Sequence, residues 1–483
     1  MTFNSGEFLI FFPITLLLYF LLPKKWSRYS LLAMSLIFYL AWNVKLVFLI
    51  LFTTAVSYFS ALKIEKTERK SVKRTFLVIT LIACLGVLFF FKYYNFLAET
   101  FGWALGALTG ETYNFMLDLV LPVGISFYTF QTLSYVIDVY RGSEKAERDF
   151  PLFALYVIFF PQLVAGPIER PGNLLPQLRD KNPLTADNVR AGIWKMSIGF
   201  FKKIVVADFI AEYVNSVYNN AADATGWGVV IGSMLFAVQI YCDFSGYTDI
   251  AIGCARIIGI RLMKNFDRPY KAQSIKEFWA RWHISLSAWF RDYLYFPLGG
   301  SRCSRSRHMF NLMVVFLVSG LWHGANWTFV IWGALHGLYR IIGELTFKPR
   351  EKLWAKLKVN TSSVAFGYVR RFFTFLLVCF SWVFFRANSI ADLGTLLGKL
   401  FSNWGSLPET LSSMGLGVTA LIVTAFSIII MTELDVITDV QSNDGEMSAS
   451  KKTSVMWIIW AVAFAWTMLL SVGGASTFIY FQF

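Results

Sequence analysis

Residues 309–345 read MFNLMVVFLVSGLWHGANWTFVIWGALHGLYRIIGEL, in which apolar runs at 309–322 and 326–345 flank a short break that contains His323. About 20 apolar residues in a helix cross a hydrocarbon core. Lipid offers no hydrogen bonds to an exposed backbone, so such runs predict helices. An ionisable side chain at that depth is costly unless it is paired or hydrated, which makes His323 a candidate functional residue.

The rest of the chain has the same character. Hydrophobic residues make up 56% of its 483 residues and charged residues 15%, and the mean hydropathy is +0.54, which argues against an ordinary soluble domain. Further apolar runs lie at 7–22, 30–42, 46–62, 75–97, 119–137, 151–165, 228–259, 366–385, 414–432 and 454–472. We expect about ten to twelve membrane helices, some of them oblique or re-entrant. No basic region precedes the first run and no cleavage site follows it, so we expect it to remain as a helix.

The net charge of +14 is explained by membrane topology without nucleic acid. Basic residues cluster in the short loops 24–28 and 63–74, and again at 348–358 with Arg370 and Arg371. The positive-inside rule places these segments in the cytoplasm and the N-terminus outside. The five cysteines lie mostly in apolar runs without CxxC spacing, so we expect small buried hydrophobic side chains and neither disulfides nor zinc.

We expect one integral membrane domain over 1–483, with N-terminal helices in 1–165, a core in 166–345 and C-terminal helices in 346–483. No linker separates two hydrophobic blocks, and no internal repeat is evident, which weakens a transporter interpretation. Three stretches depart from simple spanning helices: 166–220, 261–308 and 433–453. The last is rich in acidic residues and predicts a polar loop.

The segment 274–296 is the clearest amphipathic element. Ser274 followed by Glu277 forms a capping box that marks a helix start. The apolar side chains Phe278, Trp282, Leu286, Trp289 and Tyr293 then fall on one helical face. This pattern predicts a single helix lying at the membrane interface, with His283 at the flank of its apolar face.

Three other features surround the two histidines. Asn326 follows His323 by about one helical turn and is a candidate hydrogen-bond partner of its imidazole. His336 would lie about 220° around the same helix and face elsewhere. The basic loop with Arg302, Arg305, Arg307 and His308 is either a cytoplasmic anchor or a contact for donor phosphates.

Polar groups in the run 228–259 indicate a partly hydrated interior. Asp249 lies two turns before Arg256, which predicts a structural ion pair, and Asp243 is a candidate for lining a substrate cavity. The two carboxylates point about 240° apart on a helix and so do not form an acid/base dyad. The chain has no HExxH zinc motif, GxSxG elbow, P-loop or GxGxxG fingerprint.

Several motifs together resemble the membrane-bound O-acyltransferase (MBOAT) family. They are DFSGYTDIAIG at 243–253, NFDRPY at 265–270, the segment 277–300 and LWHG at 321–324. The opening FNS at 3–5, VAGPIER at 164–170 and the closing FIYF at 478–481 extend the similarity almost from end to end. The bacterial branch that acylates secreted and cell-wall polymers is the most similar, and the family's signature histidine corresponds to His323.

The resemblance implies an all-α membrane protein built around a funnel or tunnel. His323 would act as the general base and His283 as a positioning group, with Asn326, Asp243, Trp322 and Trp282 lining the tunnel or substrate site. The donor would be acetyl-coenzyme A or another acyl thioester, held at its phosphates by Arg302, Arg305 and Arg307. It also implies no metal or tightly bound cofactor, a location in the bacterial cytoplasmic membrane, and an extracytoplasmic or membrane-anchored partner that passes the acyl group to a polysaccharide.

Alternatives remain open at this point. An acyl-enzyme on Cys242, Cys303 or a serine is a competing mechanism, although Ser285 and Ser287 are expected at the helix surface. D-Alanyl transfer to a cell-wall polymer, a transporter or flippase, and a catalytically silent scaffold are competing functions.

Overall fold

The computed structural model describes residues 1–163, 166–444, 461–463 and 465–466, with side chains up to 435 and again in the last two stretches. Most of the predicted apolar run 454–472, two residues of the 164–170 motif and the closing FIYF lie outside the described residues. The chain divides into two compact units, residues 1–196 with 250–263 and residues 197–249 with 264–483. Their boundaries differ from those of the three sequence blocks.

The described residues up to 185 contain nine α-helices. These are α1 Gly6–Leu21, α2 Lys24–Leu40, α3 Val47–Lys66, α4 Lys70–Leu88, α5 Tyr94–Thr109, α6 Ile125–Arg141, α7 Phe150–Ile158, α8 Phe160–Leu163 and α9 Pro171–Arg179. Ser5 caps α1 by accepting a hydrogen bond from the backbone of Phe8, which satisfies one of the unpaired amides at a helix start.

The remaining part carries the histidines and contains eleven further helices in the described residues. These are α10 Ala186–Phe200, α11 Asp208–Tyr218, α12 Gly226–Ile257, α13 Ile275–Arg281, α14 Ile284–Phe290, α15 Arg305–His323, α16 Trp327–Lys356, α17 Val364–Arg386, α18 Ile390–Ser402, α19 Leu407–Ser413 and α20 Val418–Asp444. A π-helical segment, Phe201–Ala207, joins α10 to α11, and another, Arg291–Tyr295, extends α14.

The all-α fold class is confirmed. Every regular element in the described residues is a helix, and five helical segments there are long and apolar enough to cross a membrane. α1 is a shorter apolar helix. The predicted count of ten to twelve crossings stays a prediction, because short and oblique helices are not recognised by length. The polar loop predicted from 433 is wrong up to residue 444, since α20 continues to Asp444.

Two glycines bring α15 and α16 into backbone contact. A Cβ atom on Gly320 would lie 2.3 Å from the carbonyl oxygen of Phe329, and one on Gly333 would lie 2.3 Å from that of Phe316. Only hydrogen fits at such an approach. The two helices that flank His323 therefore pack backbone against backbone.

Candidate active site

His283 lies at a break between two helices instead of on the flank of one. α13 ends at Arg281, and His283 precedes α14 with φ 44° and ψ 55°, the left-handed conformation. A residue with a Cβ atom pays about 1–2 kcal/mol for this conformation. The single helix predicted over 274–296 is therefore wrong, although the predicted start is confirmed by the hydrogen bond from the Glu277 amide to Ser274 Oγ.

The motif at 265–270 braces this break. The Asn265 carbonyl accepts a hydrogen bond from the Ile284 amide at 2.9 Å, and the Asp267 amide donates to the Arg281 carbonyl at 2.9 Å. Asn265 Oδ1 lies 3.1 Å from His283 Nδ1 and accepts from both the amide and the hydroxyl of Ser285. The hydrogen bonds from segment 265–270 thus stabilise the left-handed conformation of His283. Strained residues at functional sites persist only when the surrounding structure stabilises them in this way.

This contact determines the tautomer of His283. The Ser285 amide can only donate, so the Asn265 atom that it contacts must be the oxygen. His283 Nδ1 then carries the proton and donates it to Asn265, and Nε2 carries the lone pair. His283 is completely buried, and burial lowers its pKa to about 3 because the charged form is poorly solvated there.

His323 is the last residue of α15 and is also buried, with 3% of its surface exposed. Its ring centroid lies 5.0 Å from that of Trp322, 5.1 Å from that of Trp332 and 5.4 Å from that of Phe385. The centroids of the His323 and His283 rings are 6.4 Å apart. Two histidines separated by forty residues in sequence therefore face each other in an aromatic environment.

α14 with its π-helical extension and α15 form an antiparallel hairpin that brings the two histidines together. At one end of the hairpin lie His283, which precedes α14, and His323, which ends α15. At the other end Tyr295 lies 6.1 Å from His308, and the Asn311 side chain donates to the Gly300 carbonyl. We call the first end the histidine end of the hairpin. α14 and its π-helical extension Arg291–Tyr295 thus run antiparallel to α15, and Leu286 and Phe290 of α14 are buried.

His336 and Asn326 have structural roles that the sequence did not indicate. The helix breaks after His323, so His336 belongs to α16, and its Nδ1 accepts a hydrogen bond from Trp279 Nε1 while its Nε2 lies 2.9 Å from Ser381 Oγ. Asn326 caps α16 by accepting from the Thr328 amide. Both nitrogens of His336 are thereby engaged by the fold.

The two tryptophans that precede the histidines in sequence, Trp322 and Trp282, are both buried near the histidine end. Trp322 contacts both His283, at 5.7 Å between ring centroids, and His323. Trp282 is fully buried against Phe266 and Trp382. That these tryptophans line a tunnel stays a prediction.

The loop with Arg302, Arg305 and Arg307 is exposed at the start of α15, where Ser304 caps the helix. Its location is at the opposite end of α15 from His323. The 19 residues of α15 correspond to about 27 Å at the usual rise per residue.

Ser285, expected on a helix surface, is instead buried beside Asn265.

Two buried lysines lie on the π-helical segment 201–207 and were not among the predicted site residues. Lys202 Nζ lies 2.8 Å from Asp249 and 2.6 Å from Asp435, and Lys203 Nζ lies 2.6 Å from Asp243 and 2.7 Å from Asp208. The predicted partner of Asp249 was Arg256; the partner found is Lys202. The adjacent lysines in an apolar stretch at 198–207 were the available signal.

Asp243 and Phe244 connect the lysines to the histidine end. Asp243 pairs with Lys203, while the ring of the next residue, Phe244, lies 4.8 Å from that of His283. Gly246, in the same motif, allows the π-helical segment to approach α12, since a Cβ atom there would lie 2.8 Å from the Gly199 carbonyl oxygen. Residues 243–246 of the motif thus connect α12 to both the lysines and His283.

Comparison with known proteins identifies the family. The model of the membrane-bound O-acyltransferase family matches residues 146–385, a range that includes both histidines and their bracing segments. The chain is 36% identical to the probable alginate O-acetylase AlgI of Pseudomonas putida, over all of both chains. It is 36% identical to the peptidoglycan O-acetyltransferase of Helicobacter pylori, over 84% of this chain and 81% of that protein.

A more distant relative carries a different acyl group. The teichoic acid D-alanyltransferase of Bacillus subtilis is 28% identical over 56% of this chain and 70% of that protein. The match to the family model and the identity to two O-acetylating relatives agree with each other. The chain belongs to the membrane-bound O-acyltransferase family and is an integral membrane acyltransferase.

Proposed function

We propose that this protein transfers an acetyl group from acetyl-coenzyme A, across the bacterial cytoplasmic membrane, for O-acetylation of an extracytoplasmic polysaccharide. The observation that carries the proposal is the pairing of His283 and His323 at one end of the hairpin, with a basic loop at the other end. This arrangement separates a site for chemistry from a site for an anionic donor.

His323 acts as the general base. It accepts the proton of the acceptor hydroxyl while that oxygen forms a bond to the thioester carbonyl carbon. The carbon–sulfur bond then breaks, and the imidazolium returns its proton to the leaving thiolate. The partial negative charge at the C-terminal end of α15 stabilises the imidazolium that forms between these two steps.

His283 positions the acceptor and is not a second base. Its Nδ1–H is committed to Asn265, so Nε2 presents a lone pair and cannot donate a hydrogen bond to an oxyanion. With a pKa of about 3, it takes up a proton poorly at neutral pH. A hydroxyl that donates to His283 Nε2 before reaction would be oriented towards His323.

The basic loop holds the phosphates of the donor. Arg302, Arg305 and Arg307 lie at or just before the N-terminus of α15, which carries partial positive charge. Arginines are unfavourable at a helix N-terminus unless an anion offsets them. The separation of about 27 Å along α15 requires an extended donor, with phosphates at one end and the thioester at the other.

The acceptor class follows from the relatives. Those that are 36–38% identical are named for O-acetylation of alginate or peptidoglycan, and the D-alanylating relative is 28% identical over about half of this chain. We therefore favour acetyl transfer to a secreted or cell-wall glycan over D-alanyl transfer. A separate extracytoplasmic partner would complete the transfer to the polymer.

The direct test uses the purified full-length chain in proteoliposomes with acetyl-labelled coenzyme A. His323→Ala should lower the transfer of label by about 10²–10⁴-fold, as expected for loss of a general base, with an unchanged melting temperature. His336→Gln is the matched control, since it removes another buried histidine of the same unit, and should keep transfer within about tenfold. Undiminished transfer by His323→Ala would disprove the assignment, and label transport without acylation would favour a transporter.

A further inference from the structure

Trp332 of α16 is a buried tryptophan whose indole N–H has no acceptor in the described part of the chain. The residue is 0% exposed, and its Nε1 makes no hydrogen bond there. An indole nitrogen is only a donor, and burial of a donor without an acceptor is unfavourable. A phenylalanine would fill much of the same space without this cost, so the N–H needs an explanation beyond packing.

The described surroundings of Trp332 are aromatic. Its ring stacks on that of Trp382 with centroids 5.9 Å apart, and it lies edge to face against Phe385 at 5.1 Å and His336 at 4.9 Å. Both nitrogens of His336 are already engaged by the fold. The face of an aromatic ring is a weak acceptor, so this packing does not replace the missing hydrogen bond.

Trp332 is also in ring contact with His323. The two ring centroids are 5.1 Å apart, with an angle of 86° between the ring planes. The backbone contact of α15 with α16 brings the rings together: Gly320 precedes His323 by three residues, and Gly333, which Gly320 contacts, directly follows Trp332. His323 is only 3% exposed, so a substrate that reaches it must enter between the rings that enclose it, and Trp332 is one of these rings.

The reaction at His323 needs a hydrogen-bond donor for an oxyanion. When the acceptor hydroxyl attacks the thioester carbonyl carbon, an electron pair of the carbonyl double bond moves to the oxygen, which becomes negative. His283 presents a lone pair at Nε2 and cannot donate to this oxygen. The Asn326 side chain is held by the fold, since its Oδ1 caps α16 and its Nδ2 donates to the Asn388 carbonyl. A neighbouring residue must therefore supply the donor.

We propose that Trp332 is a catalytic residue whose indole N–H donates a hydrogen bond to this oxyanion. The electron pair then returns to re-form the carbonyl, the carbon–sulfur bond breaks, and the leaving thiolate takes the proton from the His323 imidazolium. A hydrogen bond to the oxyanion is stronger than one to the neutral carbonyl, so Trp332 stabilises the transition state more than the bound donor. This inference rests on the proposed function and adds a residue to its chemical step.

The test removes only the N–H of Trp332. Genetic-code expansion introduces benzothienylalanine, in which a sulfur atom replaces the indole N–H, at position 332 of the full-length chain in proteoliposomes. The kcat for acetyl transfer should fall about 10²–10³-fold, as expected for loss of one oxyanion donor. The KM for acetyl-coenzyme A should stay within about twofold, because the lost interaction is made mainly in the transition state. Trp332→Phe also lacks the N–H and should show the same loss of kcat.

Benzothienylalanine at position 279 is the matched control, because Trp279 is a buried tryptophan of the same unit whose Nε1 already donates to His336 Nδ1 at 3.2 Å. Its kcat should stay close to that of wild type. An unchanged kcat for the analogue at position 332, an equal loss at both positions, or a rise in KM at constant kcat would overturn the inference. His323→Ala is measured in the same vesicles, so that failure of the Trp332 assignment is distinguished from failure of the proposed function.

Discussion

At the histidine end of the hairpin, His283 and His323 lie among aromatic rings, whereas on the π-helical segment 201–207 Lys202 and Lys203 lie among carboxylates. Both regions bury polar groups in the same compact unit. In the lysine region, ion pairs between lysines and aspartates connect separate helices. The histidine region has a defined tautomer and a nitrogen lone pair in an apolar environment.

The difference distinguishes buried polar groups that stabilise the fold from buried polar groups that could take part in the reaction. Lys202 connects its own segment to Asp249 on α12 and to Asp435 on α20, where Asp435 also accepts a hydrogen bond from the Tyr241 hydroxyl. Each of the two lysines pairs with two carboxylates, so these ion pairs hold separate segments of the chain together. The histidine region instead holds two imidazoles among aromatic rings, and in the proposed mechanism His323 is the one that exchanges a proton.

The largest effect on stability should come from breaking the lysine region. Lys202→Met leaves two buried carboxylates without their shared cation, and removal of one partner from a buried ion pair costs about 3–5 kcal/mol. We expect a large fall in the unfolding free energy in detergent. Lys399→Met, which removes a half-buried lysine whose Nζ donates to the Ala222 carbonyl, should change it by less than about 1 kcal/mol. Similar values for the two variants would contradict the comparison.

His283 should give the histidine region an acid-sensitive stability. Its pKa is about 3 in the folded chain and about 6.5 when unfolded. The lowered pKa means that its contribution is complete above about pH 6.5 and is lost as the pH falls towards 3. The stability advantage of wild type over His283→Gln should therefore shrink by about 2–3 kcal/mol between pH 7 and 4.5. A pH-independent difference would contradict burial of neutral His283.

A variant of Asn265 can separate the effect of the orientation of the His283 ring from the effect of its burial. Asn265→Ala removes the acceptor that fixes the His283 tautomer, and the loss of such a buried hydrogen bond costs about 1–3 kcal/mol. We expect acetyl transfer to fall about tenfold to a hundredfold, measured as kcat at saturating donor. Ser285→Ala leaves the Ser285 amide bonded to Asn265 and should retain most of the rate. Equal losses in both variants would indicate a purely structural role.

Apolar periodicity was sufficient to predict the fold class, and the capping box predicted the start of α13. Helix breaks were not predictable, because the left-handed turn at His283 is imposed by the distant Asn265 and the break after His323 lies within an almost continuous apolar stretch. The sequence pattern predicts Asn326 on the same helix as His323, in contact with its imidazole, whereas Asn326 caps α16 in the structure. The separation of three of the four histidines into a facing pair, His283 and His323, and a structural residue, His336, required tertiary contacts.

The smallest effects should come from the exposed arginines at the far end of the hairpin. Single Arg302→Gln, Arg305→Gln or Arg307→Gln changes should each raise the KM for acetyl-coenzyme A by about twofold to fivefold, because an exposed charge contact contributes up to about 1 kcal/mol. The effect should fade at high salt, where the screening length is about 3 Å at 1 M, and kcat should stay constant because these residues are remote from His323. Lys356→Gln, at the end of α16, removes one exposed charge as a control. An equal rise in KM for that variant would mean that the loop acts through general surface charge, and a fall in kcat for the loop variants would contradict the separation between donor binding and chemistry.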